Sequence, residues 1–465
     1  MLKGIPDRQT YHEEFRNCSL VGASMIAFGV RDSVVVFHGV VGCRTTIQHL
    51  QTDFTPNSGR VPVVSTGFDE NDVVSGGLSK LTQTLERVVQ GKPRLIWILT
   101  GCATALIGDD IRGAAARVEK NHGIPCIALN TTGTAGSLYH GADLALSAIL
   151  DKFYLSQRKS GRSKLHGLAQ RKGVNILGPA LMGSRKWFWD LEEICSLLEA
   201  ADIPVNLALT HNTSFDDLAG NFARAEANLW LLGEELPEFQ QRCEHLGMVQ
   251  WGQDAVLPLG VANTEEWYLA VAERFGNLKK AKARLESDQQ QVTGILKDNF
   301  NASWVLNAVA GKRAGVLTNA GFAAALARFL FYDLNIRPVI VGLFADSKVA
   351  LERAQDQLAP LKEYCDLKIL ENPTYFEYGK ALKEYGVHCA IGQRHERVLV
   401  EGMKIPHLAL GGAYFFNSFR FVPWPYMGVR GFLSLLGEMG ELMERMFHDK
   451  EGWQNNSFIE LKCGS

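Results

Sequence analysis

The chain has 465 residues, 46% of them hydrophobic, and its 48 Lys and Arg against 50 Asp and Glu leave a formal charge of −2. That balance provides no electrostatic footprint for nucleic acid. No stretch approaches the ~18 apolar residues of a membrane span. The length allows several domains with sizeable cores. The opening stretch, "MLKGIPDRQTYHEEFRNC", has no apolar signal-peptide core. The expectation is a cytoplasmic protein that binds neither membrane nor nucleic acid.

In chain order, the apolar runs that read as strands are "SVVVFHG" (33–39), "RLIWILTG" (94–101), "PCIALNT" (125–131), "GVNILGP" (173–179), "PVNLALT" (204–210) and "NLWLL" (228–232). Then come "AVLPLG" (255–260), "RAGVLTN" (313–319), "RPVIVGLF" (337–344), "DLKILEN" (366–372), "HCAIGQ" (388–393) and "PHLALGG" (406–412). Most are continuously apolar, which fits strands buried on both faces of a parallel sheet. Longer helical patterns separate them, such as 184–201 and 321–335. The pattern predicts an α/β, doubly wound architecture. A basic break at 156–173 and a charged helix at 278–300 divide the chain into blocks 1–165, 166–300 and 301–465.

Nine cysteines, an odd number, in a long chain without an export signal argue against a disulfide framework. No CxxC pair occurs, so a zinc ribbon or bacterial ferredoxin run is excluded. Cys18, Cys43 and Cys102 have unusual settings. Cys18 precedes a small-residue apolar segment, while Gly42 and Gly101 immediately precede Cys43 and Cys102 at the ends of predicted strands. Carboxyl ends of parallel strands converge on one edge, so distant thiols can meet there. Free N–H groups at a helix start favour a thiolate. At Gly42 and Gly101 the bare backbone lets such groups approach bridging sulfides. Taken alone, these residues fit either packed thiols or iron–sulfur ligands, and three thiolates fall one short of a four-cysteine site. The other cysteines lie in apolar strands, on helices or near the terminus, as packing residues do.

The segments "CSLVGASMIAFGVRDSVVVFHGVVGC", "GFDENDVVSGG" and "TGCATALIGDDI", in that order, resemble the large subunits of nitrogenase component 1 and its relatives. The resemblance is strongest over 11–155 and continues thinly through 258–273 and 404–436. It implies three Rossmann-like domains with mostly parallel sheets covered by helices, one for each block. It also implies that Cys18, Cys43 and Cys102 bind an interfacial iron–sulfur cluster, either 8Fe–7S and P-cluster-like or 4Fe–4S. The implied partners are a homologous α-type subunit, in an α2β2 heterotetramer, and an ATP-dependent 4Fe–4S reductase protein. A larger FeMo- or Fe-type cofactor is expected in the α-type partner, with no catalytic residue in this chain.

Within the resemblance the chain is β-like. The catalytic cysteine of an α subunit would fall near "NLWLLGEEL", where Leu231, Leu232 and Gly233 stand; Cys243 is displaced and His407 reads as a strand histidine. The ending "FFNSFRFVPWPYMGVRG" also resembles β subunits. Two departures point away from ordinary dinitrogen reduction. Ser19 and Leu20 replace the usual Gln-Pro after the first cysteine, and Gly133 occupies a position often held by serine. A reductase of methylthio-alkanes, cleaving C–S bonds, fits these departures. The alternatives are a dinitrogen-reducing β subunit, a cofactor-assembly scaffold, a chlorophyllide-type reductase subunit and a cluster-free small-molecule binder. Asp109 and Asp110 read as helix-capping acids. "TTGTAGS" (131–137) lacks a P-loop lysine, so no ATP site is assigned.

Overall fold

The computed structural model describes residues 17–54, 61–156, 173–411 and 424–448. Most of the basic break (157–172), residues 412–423 before Trp424 and Cys463 lie outside the described residues. The first sheet joins β1 (Ser33–His38), β2 (Val63–Ser65), β3 (Leu95–Thr100) and β4 (Cys126–Leu129) in the order β2-β1-β3-β4. The second joins β5 (Val174–Leu177), β6 (Val205–Leu209), β7 (Ala227–Trp230) and β8 (Val249–Trp251) in the order β6-β5-β7-β8. The third joins β9 (Arg313–Asn319), β10 (Arg337–Phe344), β11 (Lys368–Glu371), β12 (Cys389–Gly392) and β13 (His407–Ala409) in the order β11-β10-β9-β12-β13.

Every pairing between these strands is parallel, and helices connect them, giving three α/β units. The continuous apolar runs are explained by burial: β3 is buried along its whole length, with Trp97 at its centre. Each such large side chain removed from water contributes roughly 1.5–3 kcal/mol. Among the described residues, no helix is long and apolar enough to cross a membrane.

One expected strand is absent. Residues 255–260 form an irregular segment in which Leu259 makes a single antiparallel bridge to Met427. Pro258 has no N–H to give a ladder, and Gly260 adopts φ +76°. Conversely, β2 and β8 are too short, at three residues each, to have stood out as apolar runs.

The three units meet through close backbone contacts and buried polar groups. Gly233 packs on Gly321 so tightly that a Cβ at 233 would lie 2.2 Å from the Gly321 Cα. Beside it, the buried Glu234 carboxylate accepts the N–H groups of Asp346 (2.6 Å) and Ser347 (3.1 Å), at the start of the Lys348–Leu358 helix. Burial nevertheless pushes this carboxyl up to about 7. The folded chain therefore holds the Glu234 proton more tightly than the unfolded chain does. The resulting stabilisation is complete below the ordinary value of 4.5 and is lost as pH rises through about 7. Asp190 and Asp333, raised by burial to about 6, act in the same direction. Their contribution to stability should thus fall between about pH 5 and pH 8, against the opposite trend from His38, His211 and His388, which burial lowers, and Glu234→Gln should remove the Glu234 part of that slope. Thermal melts across the range check this; an unchanged slope in the variant would contradict the assignment.

Candidate metal centre

The register of β1 and β3 places the first two thiol-bearing turns side by side. His38 pairs with Thr100, and the Gly101 N–H donates to the His38 carbonyl at 2.9 Å. The chain then enters the Val41–Phe54 helix after β1 and the Cys102–Ile107 helix after β3. Cys43 therefore lies within the first turn of a helix, not at the tip of a turn, and Cys102 is the first residue of its own helix. Gly101 caps that helix, and a Cβ on it would come within 3.2 Å of the Phe37 ring. A Cβ on Gly42 would meet nothing within 4 Å, so the backbone before Cys43 is open on that side.

Cys18 reaches the same edge from a different direction. It is the N-cap of the fully buried Ser19–Phe28 helix, and its thiol makes no capping hydrogen bond. That helix packs directly on the Leu138–Leu150 helix at glycine: a Cβ on Gly22 would lie 1.8 Å from the Leu138 carbonyl, and one on Gly141 1.8 Å from the Ser19 carbonyl. The close approach brings Cys18 into an antiparallel bridge with Ser137. The Ser19 N–H donates to the Gly136 carbonyl (3.0 Å) and the Ser19 hydroxyl to the Thr132 carbonyl (2.8 Å). The 131–137 loop is thereby fixed between Cys18 and Cys102.

Gly133 lies where these parts meet. Its N–H donates to the Cys102 Sγ at 3.1 Å. A Cβ there would sit 3.5 Å from both the Cys102 Sγ and the Cys18 Cβ. The sequence flagged this glycine only as a substitution, because its donor role depends on a contact 31 residues away.

The three thiols are free; Cys102 is exposed, and Cys18 and Cys43 are half-buried. Burial pushes the Cys43 thiol up, and the neighbouring Cys102 and Cys18 charges push it further. The Cys43 sulfur is thus within electrostatic reach of the other two, and a positive charge beside it would favour its thiolate. Metal ions supply that charge and invert the local preference. Among the described residues, no three His, Cys, Asp or Glu side chains close around a single ion. An N–H donor on sulfur is one of the means by which a protein tunes such a centre. Free thiols with a backbone N–H donor on the Cys102 sulfur are a donor set of the kind an iron–sulfur cluster takes, and Cys18, Cys43 and Cys102 are the residues that would hold one.

The other thiols differ. Burial pushes Cys126 and Cys389 up to about 12 and Cys195 to about 11, which keeps them protonated at neutral pH. Cys243 is fully buried and accepts from Asn228 Nδ2 at 3.4 Å. His407 is fully buried against Glu396, Nε2 to Oε1 3.0 Å, which puts Glu396 inside the core. Asp110 caps the Ile111–His122 helix through the Gly113 N–H. Asp109 instead turns inward to His38 and the Gly77 N–H, a role that its sequence context did not indicate.

Residues 18–444 match the model of a family described as nitrogenase component 1 type oxidoreductase. The chain belongs to that family. Within the family it is of the β type. The vanadium-iron nitrogenase β chain of Trichormus variabilis is 24% identical over 489 residues, covering 95% of each chain. The molybdenum-iron β chain of Azospirillum brasilense is 23% identical, covering 97% of this chain and 86% of that one. The iron-molybdenum cofactor biosynthesis protein NifE of Clostridium pasteurianum is 24% identical over 83% of this chain and 79% of its own. The solved structure titled nitrogenase Cp1 at pH 6.5 shares the fold, with a TM-score of 0.74 at 18% identity, covering 96% of this chain and 95% of that one.

Proposed function

We propose that this chain is the electron-relay subunit of a nitrogenase-like reductase complex. Cys18, Cys43 and Cys102, together with cysteines of an α-type partner, hold an iron–sulfur cluster at the seam between the two chains. The convergence of three free thiols on one sheet edge, with Cys102 exposed, carries this reading. When bound, the cluster supplies one-electron transfer. The chain's own part is to hold the thiolates, donate the Gly133 N–H to Cys102 and bury one side of the site. Substrate chemistry belongs to the partner. The position expected for an α-type cysteine is filled here by buried Leu231 and Leu232 and half-buried Gly233.

An apolar surface beside the thiols supports a docking role. The Glu70–Ser75 helix lies against the Cys102–Ile107 helix, and Val74 (91%) and Leu106 (85%) are exposed on them. Such side chains beside a redox site suit a partner that covers them. An ATP-dependent reductase protein is the assigned partner, with the α-type chain completing an α2β2 assembly. Val74→Asp should raise the reductase concentration needed for half-maximal turnover by about tenfold, as loss of a central apolar contact does, while leaving bound iron unchanged. Titrating the reductase against the purified complex checks this.

The narrower substrate reading is reduction of the C–S bond in methylthio-alkanes. It rests on Ser19, Leu20 and Gly133 and draws nothing from the relatives. Anaerobic turnover with ATP and reductase, comparing a methylthio-alkane with dinitrogen, tests it: hydrocarbon and thiol products support it, and ammonia alone contradicts it. The similarity to a cofactor biosynthesis protein favours one second reading, an assembly scaffold. A scaffold would release its cluster to an acceptor protein and show no ATP-dependent substrate reduction.

A further inference from the structure

The inward turn of Asp109 connects three segments that the relay reading uses separately. Its carboxylate is nearly buried, and its Oδ2 lies 2.9 Å from the Nε2 of His38, which is fully buried. The same carboxylate accepts the Gly77 N–H at 3.0 Å and 3.2 Å. Since a carboxylate only accepts, His38 carries its proton on Nε2. Burial favours the neutral ring over the pull of Asp109, so Nδ1 is an acceptor and takes the Thr66 hydroxyl at 3.0 Å. The His38 carbonyl in turn accepts the Gly101 N–H (2.9 Å) and the Thr104 hydroxyl (2.8 Å), which fastens the Cys102 helix to the end of β1. On the other side, Gly76 and Gly77 follow directly after the helix that carries Val73 and Val74. Phe68 seals the pair edge-on to the His38 ring at 5.8 Å.

Every side-chain polar atom of the Asp109–His38 pair has a partner, and the bonds tie together separate segments. One leads to the exposed valine helix, another to the strand entering the Cys43 turn, and a third, through the His38 carbonyl, to the Cys102 helix. Buried charge-assisted bonds of this kind are stronger than neutral ones and fix geometry. We propose that Asp109 and His38 are positioning residues that hold the Cys43 and Cys102 turns at a set spacing from the Val73–Val74 docking surface. The proposal rests on the relay reading of that surface and those thiols. Neither residue touches the reacting atoms; both act through the segments they tie together.

Asp109→Asn is the direct test, because it removes the carboxylate charge facing the His38 Nε2 proton and puts an NH2 donor in place of one of the two oxygens that share the Gly77 N–H. In the full complex with partner and reductase, we expect bound iron per chain and the half-saturating reductase concentration to stay at wild-type values. The maximal rate should fall by ~10- to 100-fold, the effect of misplacing a reacting group by about an ångström, and the cluster's EPR signal should shift. Thr66→Val, which removes only the hydroxyl on Nδ1, should move rate and EPR signal in the same directions by less. A wild-type rate with an unchanged signal in Asp109→Asn would overturn the proposal. So would a loss of rate in strict proportion to lost iron, which marks a purely structural role. If Asp109→Asn does not fold, Thr66→Val decides by the same split, and wild-type behaviour there overturns the proposal. Failure of the relay reading shows differently: the unmutated complex would contain no iron.

Discussion

Cys43→Ala should strip most of the iron from the complex while leaving the chain folded. Cys43 lies in the first turn of the Val41–Phe54 helix, beside open backbone at Gly42, and is half-buried. Its charge is coupled to those of both Cys102 and Cys18. Removing it therefore takes away the thiolate that feels both others. The adjoining core, built on Ile47 and Leu50 of the same helix and on β1, keeps its contacts. The stability change should stay within about 1 kcal/mol, because Cys43 is a half-buried side chain at the edge of that core and not inside it. Iron analysis and a thermal melt on the same preparation check both halves. Full iron in the variant would remove Cys43 from the ligand set. Collapse of the fold would show that the thiol is a packing residue, and Cys102→Ala, at an exposed position, would then test the ligand set.

The second large effect lies where the second and third units touch, at Gly233 and Gly321. Gly233→Ala should destabilise the chain by on the order of 3 kcal/mol, since overpacking a rigid contact forces backbone to move. The new Cβ would land 2.2 Å from the Gly321 Cα and 2.3 Å from its nitrogen, and neither atom can rotate away. Gly321 lies in the first turn of the Ala320–Tyr332 helix, which is buried along most of its length, so the strain cannot be relieved locally. This contact also bears on function. Under the proposed function it lies at the position expected for an α-type cysteine, so a larger residue at 233 would challenge the fold before it could create a site. Denaturant titration of Gly233→Ala measures the cost, and a midpoint equal to wild type would contradict the close approach.

Much of the fold was legible because its signals are local. Runs such as 94–101 and 337–344 are apolar without alternation, and burial of β3 and β10 on both faces explains that directly. The error at 255–260 arose from the same logic: three aliphatic residues read as a strand, although Pro258 and the positive φ of Gly260 forbid a ladder. The short β2 and β8 carried too few residues to register.

The candidate site was partly legible. Cys18, Cys43 and Cys102 stood out because helix starts and glycines are visible in one dimension. The rest depends on contacts between distant segments. Gly133 donates to a sulfur 31 positions away, and Asp109 meets a histidine 71 positions away. Nothing in "IGDD" distinguishes the capping aspartate from the one that turns inward; only the strand register that places His38 beside Thr100 does so. The sequence could likewise not show that the Ser19–Phe28 helix is pressed against a second helix at Gly22 and Gly141, the contact that carries Cys18 to the site.

The most direct test of the account is iron and acid-labile sulfide measured per chain in the complex purified without oxygen. The account predicts both elements in comparable, more than stoichiometric amounts, and their loss when the α-type partner is separated from this chain. A complex that is folded, assembled and free of iron would contradict it.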